Sequence, residues 1–309
     1  MNKSLSEKDF AEAFGTDEDE IHRFCGDLIK SLDFKYEVCS QATREKIFLD
    51  VIKKYDDAEL SASGSHRLND WRTGWGEILQ EFLASGGDLK VLVPKDLRPN
   101  RPLRYKENYI LPFTASFEHD FALVFRYWLF KKYCRDYQNI YEFGCGTGQN
   151  LAVMAGLFPE KRFLGMDWVP ESQELLKLIA GTYGWQMEGH RFDFFKPNYE
   201  LEILPNSLIY TSCAMEQIGG DYGSFLDYLL AKKPSLCVNV ECIQELYDEH
   251  TLCDYVALRY HRRRNYLGDF LTRLRALEQE KIIEIIATKR MGFGSLYHEG
   301  YMYVIWKIL

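Results

Sequence analysis

The chain has 309 residues, 46% of them hydrophobic and 27% charged, with a formal net charge of −8. That length holds one large domain or a core domain with an accessory one. The acidic balance argues against a general nucleic-acid binder, which is usually basic, and no apolar run reaches the length of a membrane span.

The N-terminus, Met1-Asn2-Lys3-Ser4, leads into charged residues and does not read as a signal peptide. The eight cysteines, at positions 25, 39, 134, 145, 213, 237, 242 and 253, contain no Cys-x-x-Cys pair. No zinc ribbon is suggested, and buried thiols in a reducing cytoplasm are the expectation.

Residues 1–115 read as a helical N-terminal cap and lid. Thr16 can cap a helix carrying Ile21, Phe24, Cys25, Leu28 and Ile29 on one face. Ile47, Phe48, Val51 and Ile52 mark a second stripe. Leu68, Trp71, Trp75, Ile78, Leu79 and Phe82 mark a third, ended by Gly86-Gly87. All three stripes read as core. From Val91 to Pro112 the prolines at 94, 99, 102 and 112 break helices. Arg98, Arg101, Arg104 and Lys106 alternate there with Tyr105 and Tyr109, which suits a lid. Ser116 opens a further helix with Phe117, Phe121, Val124, Trp128 and Leu129 on its buried side.

Asn139–Asn150 then reads as a buried strand, a glycine turn and a helix start. Glycine permits the sharp reversal and lets a ligand approach the backbone, while the helix aims free N–H groups at it. A dinucleotide fingerprint would need a small residue where Gln149 stands, and a P-loop would need Gly-Lys-Ser/Thr, which is missing. The pattern is Glu142-x-Gly144-x-Gly146-x-Gly148.

Strands and helices alternate beyond the turn. Arg162–Trp168, Gln186–Phe195, Ser207–Cys213 and Leu236–Glu241 read as strands, and Ile282–Ala287 and Tyr301–Leu309 close the chain. Such alternation implies a parallel sheet with helices on both faces. Arg262-Arg263-Arg264 reads as a solvated helix face.

The acidic residue two before the first glycine, with Asp167 at the end of the next strand, makes residues 116–309 resemble the class I methyltransferases that use S-adenosylmethionine. The resemblance implies an α/β fold: a seven-stranded, mostly parallel, doubly wound sheet with a closing antiparallel hairpin joined by residues 288–300. It places Gly144, Gly146 and Gly148 beneath the methionine end and ribose, and Glu142 at the methionine ammonium. Asp167 would hold the ribose hydroxyls, with Trp168 against adenine. Asp193, followed by Phe194, would meet the adenine amino group. Tyr141 and Asn150 flank the turn and join the cofactor set. Ser212 and Met215 would touch the cofactor, and Glu216 and Gln217 the acceptor.

An oxygen acceptor must lose a proton, so a base should be near. His119, Glu216, Glu241, His250 and His298 are candidates, with His119 and Glu216 preferred. Tyr105 and Tyr109 are expected to close over the sulfonium. No metal-ligand spacing stands out, and no metal is expected. The Asn/Asp-Pro-Pro-Tyr signature of amino methylation on bases or amide side chains is missing. The reading is therefore a cytoplasmic methyltransferase acting on O or N of a small molecule, without nucleic-acid or membrane partners; a homodimer is left open. A cyclase of the azetidine-2-carboxylate synthase kind, releasing methylthioadenosine, is the first alternative. A non-catalytic S-adenosylmethionine-binding protein is the second.

Overall fold

A computed structural model describes residues 2–55, 57 and 59–309 of the chain. The N-terminal third combines helices with short strands. After β1 (Asn2–Ser4), α1 (Glu7–Phe14) starts from a capping box in which Ser6 and Asp9 satisfy each other's backbone N–H. α2 (Glu18–Ser31) is capped by Asp17 rather than Thr16; Thr16 instead donates its hydroxyl to Glu20. Then come β2 (Lys35–Val38), α3 (Gln41–Tyr55) and α4 (Leu68–Ala84).

The proline-rich stretch folds as a hairpin of β3 (Leu103–Tyr105) and β4 (Asn108–Pro112). Its turn residues Lys106 and Glu107 both have positive φ, at 49° and 61°. Two-residue hairpin turns of that kind usually carry Asn-Gly or Asp-Gly, so the hairpin left no mark in the sequence. Tyr105 and Tyr109 are 7% and 0% exposed. This corrects the place expected for the two tyrosines: residues 103–112 are one part of a five-stranded antiparallel sheet ordered β1-β2-β4-β3-β11, where β11 is Phe293–Gly294, while Pro94, Leu97 and Arg101 of the same stretch line the main cavity.

α5 (Phe117–Tyr133) leads to the central unit. Its elements are β5 (Asn139–Phe143), α6 (Gln149–Leu157), β6 (Arg162–Asp167), α7 (Pro170–Tyr183), β7 (Met187–Arg191) and β8 (Ser207–Ser212). They continue with α8 (Gly223–Lys232), β9 (Leu236–Glu241), α9 (Leu252–Arg264), α10 (Phe270–Gln279), β10 (Ile283–Lys289) and β12 (Met302–Ile308). The strand order is β10-β12-β9-β8-β5-β6-β7. β12 runs antiparallel to both β9 and β10, and the pairs β9–β8, β8–β5, β5–β6 and β6–β7 are parallel. This is the expected seven-stranded α/β sheet with its closing hairpin. The order reverses between β5 and β8, and in open parallel sheets ligands bind beyond the strand ends at such a reversal.

Alternation along β5 sorts its side chains. Ile140 packs with α5, α6, α7 and the N-terminal helices, whereas Tyr141 and Phe143 pack with α8 and α10. A buried ion network ties the small sheet to the central unit. Asp254 of α9 accepts from Arg104 of β3 at 3.3 Å and from Arg290 at 2.5 and 2.6 Å, while Arg290 also donates to Glu299 at 2.8 and 2.9 Å. No described helix is long and apolar enough to cross a membrane.

Candidate active site

A cavity of about 600 Å³ opens over the carboxyl ends of β5, β6 and β8. That is ample for a ligand of cofactor size. Its floor is the glycine turn. Gly144 and Gly146 line it with φ of 72° and 52°. A Cβ on Gly144 would stand 2.4 Å from Ala214 Cβ, and one on Gly146 would press on the Trp75 ring at 3.1 Å. Glycine there lets the segments from β8 and α4 close on the turn.

Glu142 ends the inward-facing register of β5 and is 1% exposed. Its Oε1 accepts from Asn150 Nδ2 at 2.6 Å, but its Oε2 has no protein partner. Burial pushes its carboxyl up to about 8, against the counter-pull of Asn150 and the Arg126 guanidinium. Arg126 of α5, also buried, lines the same end of the cavity with an unpartnered Nη1, as does Asn150 with an unpartnered Oδ1. Buried polar atoms in folded proteins are normally satisfied. Three unsatisfied ones of acceptor and donor type, meeting in a cavity, mark a place for a polar ligand.

Asp167 ends β6. Its two oxygens accept from the backbone N–H of Gly146 at 2.9 Å and of Val169 at 3.0 Å, which fixes its carboxylate at the cavity wall. Burial raises it to about 6, opposed by those hydrogen bonds. Trp168, Phe194 and Phe195 add an aromatic wall beside it, with Trp168 and Phe195 ring centres 6.0 Å apart.

Beyond β8, Ser212, Glu216 and Gln217 line the cavity. Glu241 at the end of β9 lies beneath them and accepts from Ala214 N–H at 3.3 Å and Glu216 N–H at 3.4 Å. Burial and the neighbouring Glu216 push Glu241 up to about 8. The far wall comes from Tyr260, Arg264, Tyr266, Tyr297 and His298. Arg264 therefore departs from the solvated face expected of the arginine run: it lies over the Tyr266 ring at 5.2 Å and donates to the Ser61 carbonyl.

Several sequence candidates lie elsewhere. Tyr105 donates to Asp9 at 3.0 Å, and Tyr109 packs edge-on to Phe48 and donates to the Leu296 carbonyl at 3.1 Å. Neither lines the cavity. Tyr141 faces the opposite side of the sheet, where its hydroxyl accepts from Leu204 N–H at 3.1 Å. Gly148 caps α6, and its open side faces Leu176, at 2.5 Å from where a Cβ would stand. Asp193 closes a local turn by accepting from Phe195 N–H at 2.9 Å, so Phe194 reaches the cavity and Asp193 does not. Met215 is core, its sulfur 3.7 Å from the Asn239 side-chain amide. His119 lies behind Gln149, 2.9 Å from its amide nitrogen, while Glu118 on the same helix lines the cavity and accepts from Arg101 at 2.8 Å. His250 is exposed.

Other lining residues have no sequence signature. Trp71 and Trp75 of α4, stacked at 5.3 Å, cover the cavity. Arg67, at the start of that helix, lies over Trp71 at 4.8 Å and donates to the Gln217 side chain at 2.8 Å, latching α4 to the segment after β8.

No protein-family model matches the chain, and no curated protein matches it in sequence. Among solved structures it is similar to the plantazolicin methyltransferase BpumL in complex with SAH, at 14% identity and a TM-score of 0.40, covering 60% of this chain and 81% of that one. It is also similar to an O-methyltransferase family 2 protein from Planctomyces limnophilus in complex with apigenin, at 11% identity and a TM-score of 0.42, covering 79% and 96%. A third is the small RNA methyltransferase HEN1, at 12% identity and a TM-score of 0.45, covering 65% of this chain and 28% of that one. The strand order and the closing antiparallel strand give this chain the fold of the class I S-adenosylmethionine-dependent methyltransferases.

Proposed function

We propose that the protein is an S-adenosylmethionine-dependent transferase, and specifically a methyltransferase acting on the O or N of a small molecule. The observation that carries this is the pair Glu142 Oε2 and Arg126 Nη1, one acidic group and one basic, both buried and unpartnered at the end of β5. An α-amino acid end supplies an ammonium for the first and a carboxylate for the second, with Asn150 Oδ1 as a further acceptor. Asp167, fixed by two backbone N–H groups, suits a ribose diol. Trp168, Phe194 and Phe195 suit a flat base.

When bound, S-adenosylmethionine supplies an electrophilic methyl group on a sulfonium. The chain's own residues then have three tasks. Trp71 and Trp75 exclude water and present aromatic faces to a cation. The segment Ser212–Gln217 and the wall of Tyr260 and Tyr266 hold the acceptor in line. Glu216, buried at the cavity wall, takes the acceptor proton. The acidic surface and this enclosed aromatic wall favour a small acceptor.

Incubation with S-adenosylmethionine, with and without a panel of hydroxyl and amine acceptors, followed by mass spectrometry, tests the reading. S-adenosylhomocysteine formed only with an acceptor supports it. Methylthioadenosine formed without an acceptor replaces it with cyclisation. Neither product, and no binding, overturns it.

A further inference from the structure

Behind the far wall of the cavity lie three side chains from three separate elements. Cys242 follows β9, His261 sits in the last turns of α9, and His298 belongs to the connection between β10 and β12. One ligand atom from each, the Cys242 sulfur and a ring nitrogen of each histidine, lies within 4.8 Å of the other two. Cys242 and His261 are both fully buried, and His298 lines the cavity. The two imidazoles stand nearly perpendicular, with ring centres 5.0 Å apart and an angle of 79°.

The hydrogen-bond account of this cluster does not close. Among the described residues, neither ring nitrogen of His261 has a partner, and neither does Nδ1 of His298. A neutral imidazole carries one N–H donor and one acceptor, and a buried ring normally satisfies both. Beside His298 and Cys242, His261 has the Tyr247 and Tyr266 rings around it, at 5.4 and 5.7 Å. A purely structural histidine would gain nothing from such a position. A histidine that gives a nitrogen lone pair to a metal would.

We propose that Cys242, His261 and His298 form a binding site for a zinc-class divalent cation, with its remaining coordination position turned toward the cavity. One thiolate and two neutral imidazoles are a donor set that zinc accepts, and three protein ligands with one open position is the arrangement of catalytic rather than structural zinc. Bond lengths of about 2.3 Å to sulfur and 2.0–2.1 Å to nitrogen put tetrahedral donors roughly 3.4–3.6 Å apart. The three ligand atoms, now within 4.8 Å of one another, reach that spacing by approaching by at most about 1.4 Å through side-chain rotation. Binding replaces the S–H bond with a metal–sulfur bond and releases one proton to solvent.

The ion's place suggests its use, and this part rests on the methyl-transfer reading. A cation at the end of the cavity opposite Glu142 would hold an oxygen, sulfur or nitrogen of the acceptor and ease loss of its proton. It would also set the acceptor class, favouring groups that ligate zinc. Glu216 and Tyr266, on the same wall, would orient what the ion holds.

The test is metal binding, read without turnover. Protein stripped with a chelator under reducing conditions is titrated with Co²⁺ and then with Zn²⁺. One equivalent of cobalt should give tetrahedral absorption with a sulfur-to-cobalt charge-transfer band, and zinc should displace it. Cys242→Ser should lose that band, and His298→Ala should weaken binding by at least about 100-fold, the upper end seen for mere outer partners. If a variant fails to fold, the wild-type titration still decides. No stoichiometric metal on folded wild-type protein, or cobalt spectra without the sulfur band, overturns the site. Calorimetry with S-adenosylhomocysteine on the same stripped protein is separate: intact cofactor binding together with a failed metal titration sinks this inference and leaves the methyltransferase reading standing.

Discussion

Glu142 is held in a state that a cationic ligand would relieve. Its carboxyl, pushed up to about 8 by burial, is protonated at neutral pH in the free protein. An ammonium favours the ionised form, so cofactor binding at pH 7 should release a proton. By linkage, affinity should rise as pH climbs toward 8 and then level off. Calorimetry in two buffers of different ionisation enthalpy measures that proton. Glu142→Gln keeps the shape and removes the charge. It should cost about 1.5–3 kcal/mol of cofactor affinity, the scale of a charged hydrogen bond, and flatten the pH dependence. A Gln variant with native affinity and native slope would remove Glu142 from the ligand. Glu142 was legible because the strand–glycine turn–helix pattern fixes where β5 ends, and Asp167 because it closes the next strand where the family resemblance expects an acid. Arg126 was not legible. It sits in an aromatic helix with no turn, spacing or charge run to mark it, and only the fold brings it beside Glu142.

The element that covers the cavity is α4, with Trp71 and Trp75, and not the Tyr105–Tyr109 hairpin. Both stretches are aromatic, and aromatic content alone does not separate a cavity cover from a core. In the hairpin, strand alternation buries both tyrosines in the small sheet and its neighbours. In α4, the stripe contains two different faces: Ile78 and Phe82 are buried in the core, while the tryptophans one and two turns earlier are half-buried and reach the cavity. Periodicity reports that a face is apolar and is silent on whether protein or ligand fills it. Trp75→Ala should therefore lower kcat/KM by tenfold or more, about 1.4 kcal/mol in the barrier. Tyr109→Phe should cost about 0.5–1.5 kcal/mol of stability for its hydrogen bond while kcat/KM stays within twofold. Steady-state kinetics with urea unfolding on both variants checks the contrast, and a reversed pattern would restore the hairpin as the lid.

At the scale of the molecule, the two sheets are fastened by buried charge. Asp254 faces Arg104 and Arg290, and Glu299 closes the network next to His298. Asp254→Ala would leave the buried Arg104 and half-buried Arg290 guanidiniums short of a counter-charge and should cost about 3–5 kcal/mol in urea unfolding. A loss below 1 kcal/mol, about the worth of a surface pair, would show that the network is solvated. The parallel sheet followed from strand–helix alternation, its seven strands and closing hairpin were implied by the family resemblance, and the strand order came only with the structure. The small sheet did not, because its strands come from distant segments and pair only after the chain has folded back.

The ligand proposed for the carboxyl ends of β5 and β6 is a nucleoside linked to an amino acid. Calorimetric titration of S-adenosylhomocysteine into the wild-type protein, Arg126→Met and Asp167→Asn tests it most directly. The structure predicts one site per chain in the wild type and at least tenfold weaker binding in each variant, about 1.4 kcal/mol. Saturable binding with the same affinity in all three proteins, or no binding to the folded wild type, would contradict it.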